Sequence, residues 1–299
     1  MNILVVGGSG LIGGHAAMHL AEAGHDVTIA ARNPPARGTP MSSLKFVQGD
    51  YVAGTFSAED LSRFDAVVFA AAQDPRHLKK GEDANAYWET ANVEAVPRFF
   101  ALARTAGVRR AVNIGSFYHQ AAPQLVAGNP YILSRQRVDA AVLALTSADF
   151  GVVSLNPPYM LGAVPGLESR SFERVTHYAQ GRVPKVATFA PTGGVNFMST
   201  RSLAQAIEGA LMRGEAGRSY LVGDQNLSFH QYLGAFFQAA GNTDPIPLLE
   251  QDHPLISSYA GLGGTIYFEP DAQEAALLGY ARDDIARTIQ EIVAQYRAA

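Results

Sequence analysis

Tyr131 and Arg135 stand four residues apart in the stretch NPYILSRQRVDAAV, Asn129 to Val142. The pattern around them predicts a helix from Tyr131 to Leu145, and positions i and i+4 share one face of a helix. A phenol and a permanent cation then point the same way. A free tyrosine loses its proton near ~10, too high for a base at neutral pH. A neighbouring cation stabilises the phenolate and lowers that value. Such a pair suits the transfer of a hydroxyl proton that must accompany hydride movement between a nicotinamide and a carbonyl. Arginine presents a planar fork of donors but does not readily release a proton. Arg135 is therefore expected to supply fixed positive charge beside the phenol.

A second chemical motif opens the chain. GGSGLIGG places Gly7, Gly10 and Gly13 in a G-x-x-G-x-x-G pattern. It follows an apolar run, Asn2 to Val6, and opens a helical period, Leu11 to Ala23. Glycine permits a tight turn and close approach to a pyrophosphate, and a helix N-terminus offers free N–H groups and a positive dipole end. Leu11 and Ile12 begin that helix, and Ser9 adds a hydroxyl donor. In this setting the pattern predicts dinucleotide binding. An NAD-selective site usually carries an acid at the end of the second strand. The sequence there is IAARNP, with Ala31 in place of the acid and Arg32 next. Arginine can hold a 2′-phosphate through charge-assisted bonds. NADP(H) is expected to be preferred, with NAD(H) second.

Positioning these groups requires a particular scaffold. HDVTIAAR, SLKFVQGD, DAVVFAAA, RRAVNIGS and GVVSLNPP read as five further strands, most of them separated by helices. Strands alternating with helices predict an α/β, Rossmann-type doubly wound parallel sheet. A long helix is expected from about Ala84 to Ala106. Beyond Met160, glycine and proline become frequent and strands thin out. Helices are expected at Thr200 to Arg213, at Phe229 to Ala240 behind a Ser228/Gln231 capping box, and at Asp283 to Tyr296. The chain is read as a nucleotide-binding domain over 1–162, to which 187–224 return, and a smaller substrate-binding lobe from 163–186 and 225–299.

Composition narrows the classes. The 299 residues are 47% hydrophobic, enough for a sizeable core, and the net charge of -4 is mild. No basic stripe points to nucleic acid. There is no cysteine, which excludes disulfides and thiolate chemistry. The eight histidines show no H-E-x-x-H spacing, so no metal site is expected. The opening apolar run is too short for a signal peptide or a membrane span, and the protein is read as cytoplasmic with no membrane partner.

Taken together, the glycine pattern, strand order and Tyr131 helix resemble the short-chain dehydrogenase/reductase superfamily, in its extended epimerase/dehydratase-like branch. Arginine stands for the lysine of that family's Tyr-x-x-x-Lys. The resemblance covers most of the chain. It implies that Ser116, in NIGS, is the family's catalytic serine, acting with Tyr131 and Arg135. It implies cofactor contacts from Asp50 and Tyr51 after the third strand, from Ala70, Ala71 and Ala72 after the fourth, and from Asn92 in TANVEA. NPPYMLG, with Pro157, Pro158 and Tyr159, resembles the segment that passes the nicotinamide.

Substrate contacts are expected from Gln73 and from Tyr118 and His119, which follow Ser116 in a loop. His253 and Tyr259 lie in a further substrate-facing loop, whereas His177, Tyr178 and Arg170 read as surface or packing residues. The leading reading is an NADP-dependent oxidoreductase acting on a small or apolar carbonyl or secondary alcohol. The rivals are a nucleotide-sugar epimerase or dehydratase, and a catalytically silent NADP-binding sensor or partner-binding protein. In the resembled family, dimers pair the helices that correspond to 84–106 and 131–145, so a homodimer is open to this chain.

Overall fold

The computed structural model describes residues 1–297. Its first half contains β1 (Asn2–Val6), α1 (Leu11–Glu22), β2 (Asp26–Ala31), β3 (Lys45–Gln48), α2 (Ala58–Leu61), β4 (Ala66–Phe69), α3 (Ala84–Trp88), α4 (Ala95–Thr105), β5 (Arg110–Ile114), α5 (Tyr118–Ala121), α6 (Pro130–Leu143) and β6 (Gly151–Asn156). The second half contains β7 (Tyr159–Leu161), α7 (Arg170–Ala179), β8 (Ala190–Pro191), β9 (Gly194–Ser199), α8 (Thr200–Met212), β10 (Arg218–Leu221), β11 (Gln225–Ser228), α9 (Phe229–Ala240), β12 (Leu248–Leu249), β13 (Thr265–Ile266), α10 (Ala272–Leu278) and α11 (Ile285–Tyr296).

Seven strands form one sheet in the order β10-β6-β5-β4-β1-β2-β3, and every neighbouring pair is parallel. Parallel strands need crossovers, so helices cover both faces and the central strands are apolar on both sides. On one face, Ala16, Ala17 and Leu20 of α1 pack with Leu203, Ala206 and Ile207 of α8. On the other, Phe99 and Phe100 of α4 and Val138 and Val142 of α6 pack with Val67, Phe69 and Val152. The order of succession reverses between β1 and β4: β2 and β3 are added on one side, β5 and β6 on the other. The crevice outside the carboxyl ends of β1 and β4 is the place such sheets hold ligands.

A second, four-stranded sheet centres on β9, which pairs with β11, β13 and β7. Its apolar face joins α7, α9 and α11 in a cluster that includes Phe197, Tyr232, Phe236 and Ile289. Leu278 and Tyr280, at the end of α10, instead enter the core shared by α1 and α8.

Local signals account for the element ends. Asn129 accepts the Ile132 N–H at 3.1 Å and Pro130 occupies the first turn, which starts α6. Ser228 and Gln231 form the expected capping box at α9, and Gly241 ends that helix in the left-handed region at φ 76°. The long helix expected over 84–106 is broken. A π-helical turn, Glu89–Glu94, separates α3 from α4. Pro97 has no N–H for the carbonyl four residues back, and the wider turn precedes it. β9 is buried along its whole length and so shows no alternation by which to find it.

Candidate active site

The glycine loop is shaped by contact with the strands beside it. Gly7 lies at φ 85°, and a Cβ there would sit 2.7 Å from the Ala70 carbonyl oxygen. A Cβ on Gly13 would fall onto the Gly7 carbonyl. The loop thus lies flat between β1 and the Ala70–Ala72 segment, with Gly10 as N-cap of α1. Gly10 has no side chain to cap the helix, so the first N–H groups, beginning at Leu11 and Ile12, face the crevice. Ala31 ends β2, and the exposed Arg32 follows it, its carbonyl accepting Gln48 Nε2 at 2.9 Å. Arg32 forms no ion pair among the described residues.

The opposite wall is tied together by amides. Asn92 is fully buried; its Oδ1 accepts the Gln73 N–H at 3.0 Å and its Nδ2 donates to the Gln73 carbonyl at 3.1 Å. Both ends of its amide are spent on holding the segment after β4. Gln73 Nε2 donates to the Tyr51 hydroxyl and to the Ala71 carbonyl, both at 3.3 Å, and its Oε1 accepts from Tyr87 at 3.0 Å. Gln73, expected as a substrate contact, thus spends its amide on bracing this wall. Burial pushes the Tyr51 phenol up to about 12, keeping it a neutral donor and acceptor. Asp50 turns its Oδ1 to the Val52 and Ala53 N–H groups at 2.8 and 3.3 Å, fixing the turn after β3.

Ser116 and α6 meet beside this crevice. Ser116 follows the end of β5 and is buried; its N–H donates to Asn156 Oδ1 at 3.0 Å, and its hydroxyl is not drawn into that bond. Tyr131 and Arg135 lie on the same face of α6, as the spacing predicts. Arg135 is only 4% exposed. Its Nη2 donates to the Ile114 carbonyl at 2.7 Å, while Nε and Nη1 are buried with no hydrogen-bond partner among the described residues. Two such donors in the interior are costly unless a ligand takes them.

Aromatic rings surround Tyr131. Trp88 is edge-on at 5.2 Å between centroids, and Tyr259 lies tilted at 6.0 Å. Tyr118 meets Tyr259 at 5.2 Å and donates to the Tyr159 hydroxyl at 3.3 Å. Tyr159 in turn donates to the Ser257 carbonyl. Burial raises the Tyr118 and Tyr159 phenols, and raises Tyr259 to about 12. These three stay protonated at neutral pH.

His119 does not join that wall. It is buried on the other side, with Nε2 3.5 Å from Asp139 Oδ2 on α6, because the first turn of α5 carries it inward between sheet and helix. His253 also departs from its expected place. It is wedged between Phe189 and Tyr178 at 4.7 and 5.1 Å, leaving Tyr259 as the member of that loop at the site. His15 and His19 do share a face of α1, but His15 Nδ1 lies 3.2 Å from the Leu11 carbonyl and His19 pairs with Glu208 at 2.7 Å. No group of three His, Asp or Glu side chains converges among the described residues. No helix among them is long and apolar enough to cross a membrane.

Trp88, Asn156 and Asp139 were not foreseen as site residues. The readable signals were a polar residue closing a buried apolar strand, in SLNPP, and an acid two turns beyond Tyr131 on its own helix face.

A flat glycine loop at the switch point of a parallel sheet, in a site that also holds a buried cation at the end of β5 with two nitrogens unpartnered among the described residues, fits a dinucleotide. The architecture is that of a Rossmann-type nucleotide-dependent enzyme. The sequence model of the NAD dependent epimerase/dehydratase family matches residues 3–223, and the chain belongs to that family of NAD(P)-dependent enzymes. Solved structures share the fold over nearly the full length. Gox2253 is similar at TM-score 0.80 and 21% identity, covering 99% of this chain and 98% of its own. The UDP-N-acetylglucosamine 4-epimerase of Bacillus cereus is similar at TM-score 0.74 and 15% identity, covering 100% and 97%. The Bordetella bronchiseptica enzyme WbmG, solved in complex with NAD, is similar at TM-score 0.73 and 19% identity, covering 100% and 94%. No curated protein sequence matches the chain.

Proposed function

We propose that the protein is an NADP-dependent oxidoreductase that interconverts a carbonyl and a secondary alcohol. The observation that carries this reading is the Arg135 guanidinium, buried one turn from Tyr131 with Nε and Nη1 unpaired. Ribose hydroxyls of a nicotinamide nucleotide are ligands of the right chemistry for those donors. The bound nicotinamide supplies or accepts the hydride. Tyr131 gives its Oη proton to the substrate oxygen in reduction and takes it back in oxidation, and Ser116 donates a hydrogen bond to the same oxygen. Arg135 favours the phenolate that remains.

NADP is preferred in this reading because Arg32 is exposed, with no acidic partner among the described residues, where an NAD site carries a carboxylate. The substrate is small or apolar, since the rings of Trp88, Tyr118, Tyr159 and Tyr259 enclose Tyr131. The lobe that presents Tyr259 is assigned to substrate. A second reading, nucleotide-sugar epimerisation or dehydration, is favoured by structural neighbours such as the Bacillus cereus 4-epimerase.

Thermal shift with NADPH and NADH tests the cofactor; linkage predicts about 2.7 kcal/mol of added stability at 100-fold excess over Kd. NADPH oxidation across aldehydes, ketones and sugar nucleotides tests the reaction. Turnover of a sugar nucleotide without net NADPH consumption selects the epimerase. NADPH binding with no turnover of any compound leaves a cofactor sensor.

A further inference from the structure

The interface between α6 and the sheet is apolar at Val138 and Val142, but next to the site it turns polar. Asn113, Ser154 and Asn156 of the sheet are each fully buried there; Asn113 donates to Ser154 at 2.9 Å, and Ser154 bonds to Asp139 of α6. Polar groups in such a layer are costly unless hydrogen-bonded; Asn113 Oδ1 and the His119 ring nitrogens lack a hydrogen-bond partner among the described residues, whereas the run of bonds from Ser116 to Asp139 is unbroken and can fix geometry.

The bonds run in one direction. The Ser116 N–H donates to Asn156 Oδ1 at 3.0 Å. Asn156 Nδ2 donates to Ser219 Oγ at 2.8 Å and to Gln120 Oε1 at 2.9 Å. Ser219 Oγ donates to Asp139 Oδ2 at 2.9 Å. One end is a backbone N–H, which can only donate. The other is a carboxylate, which only accepts when ionised. The orientation of the Asn156 amide is therefore dictated from both ends. Asp139 lies four residues beyond Arg135 and eight beyond Tyr131, on the same helix face. Gly115 belongs to this design: a Cβ there would collide with Asn156 Oδ1.

We propose that Asn156 is the positioning residue of the Ser116 loop, and that Ser219 and Asp139 lock its amide, holding Ser116 in register with the Tyr131–Arg135 helix. Ser219 enters from β10, so the strand that returns from the second half is what closes the chain of bonds. The catalytic meaning of this register rests on the roles proposed above for Ser116 and Tyr131; the geometric claim does not.

Two readouts separate the claims. Amide exchange followed by NMR reads the Ser116 N–H without any substrate, with Ile29 in β2 as a remote reference. Asn156→Ala and Asn156→Asp are expected to speed Ser116 exchange by about tenfold or more while Ile29 is unchanged, the loss of one buried acceptor or its lock. Asp at 156 can accept from Ser116 but cannot donate to Ser219 and Gln120. Ser219→Ala is expected to act in the same direction more weakly, and Ser219→Thr, which keeps the hydroxyl, to restore protection. If the 156 variants do not fold, the Ser219 pair carries the same test. A smaller change at Ser116, or an equal loss at Ile29, overturns the proposal. On any substrate the carbonyl screen identifies, Asn156→Asp is expected to lower kcat by about tenfold with the KM for NADPH unchanged. Normal exchange protection with normal kcat in these variants overturns the proposal even if the oxidoreductase reading stands. Absence of any substrate removes that reading and leaves the exchange result to decide this one.

Discussion

Arg135 donates to the Ile114 carbonyl at 2.7 Å, and its other two nitrogens are buried without hydrogen-bond partners among the described residues. Each unpaired donor costs about 1–3 kcal/mol in the folded protein. In the proposed function, a ligand that takes those donors recovers this cost on binding. Arg135→Met keeps much of the length and removes the orphaned N–H groups. It is expected to raise the stability of the cofactor-free protein by about 1 kcal/mol, net of the lost Ile114 bond. The same change should weaken NADPH binding by about 10–100-fold. Urea unfolding and a binding titration measure the two halves. A less stable variant that binds NADPH normally would show that the guanidinium serves the fold and not the cofactor.

Trp88 is the sole tryptophan of the chain, and its ring lies 5.2 Å from that of Tyr131. Its fluorescence therefore reports on the site directly. NADPH is expected to quench it. Tyr131→Phe keeps the ring contacts and loses only the hydroxyl. Its NADPH affinity, read by this quench, should stay within about twofold. Its kcat on a substrate from the screen should fall by about a hundredfold to ten-thousandfold, the usual range for a positioned acid or base. Full activity in this variant would assign the proton to another group.

Arg32 is exposed and follows Ala31 at the end of β2. Removing it should leave NADH binding unchanged and weaken NADPH. Charge-assisted bonds to a phosphate contribute about 1.5–3 kcal/mol. Arg32→Ala should therefore cut the NADPH-to-NADH preference by about 10–100-fold. Equal thermal shifts from both cofactors in the unaltered protein would already contradict the assignment.

The sheet was legible because each central strand is an apolar run closed by a glycine or polar turn, and the pattern of period changes names the order. The Tyr131 helix was legible because Asn129 and Pro130 mark its start. Periodicity says less where packing, and not solvent, surrounds an element. β9 is buried on both faces, and the π-helical turn at Glu89–Glu94 leaves the apolar pattern around Pro97 reading as one continuous helix. Among the site residues, spacing placed Tyr131 and Arg135 on one face. It could not show that Gln73 spends its amide on Tyr51 and Tyr87, or that His119 turns to Asp139. Those outcomes depend on contacts between elements distant in sequence. The polar layer under Ser116 is of this kind: Ser116, Asp139, Asn156 and Ser219 come from four elements. Burial alone would raise the Asp139 carboxyl, but the facing His119 ring, Ser154 and Ser219 outweigh it and hold its pKa below the usual carboxylate value.

His253 anchors the start of the loop that carries Tyr259, and its burial makes that anchor sensitive to acid. The ring is 4% exposed, between Phe189 and Tyr178. Its Nδ1 accepts the Leu255 N–H at 3.2 Å, a bond that protonation there would break. Burial pushes the imidazole from 6.5 down to about 4. The folded pKa is below the unfolded one, so the unfolded chain takes up the proton first as pH falls. The stability tied to neutral His253 is fully present above pH 6.5 and is lost progressively as pH falls toward 4. At 1.36 kcal/mol per unit, the loss by about pH 5 is about 2 kcal/mol. His253→Phe keeps an aromatic ring between the two neighbours and removes the titration. It costs the Leu255 bond at every pH, so the comparison is between slopes. Urea unfolding at about pH 7 and about pH 5 should show a drop smaller by about 2 kcal/mol in the variant than in the unaltered protein. Equal drops would mean that the ring is hydrated in solution and that the loop is held by Tyr159 and Ser257 instead.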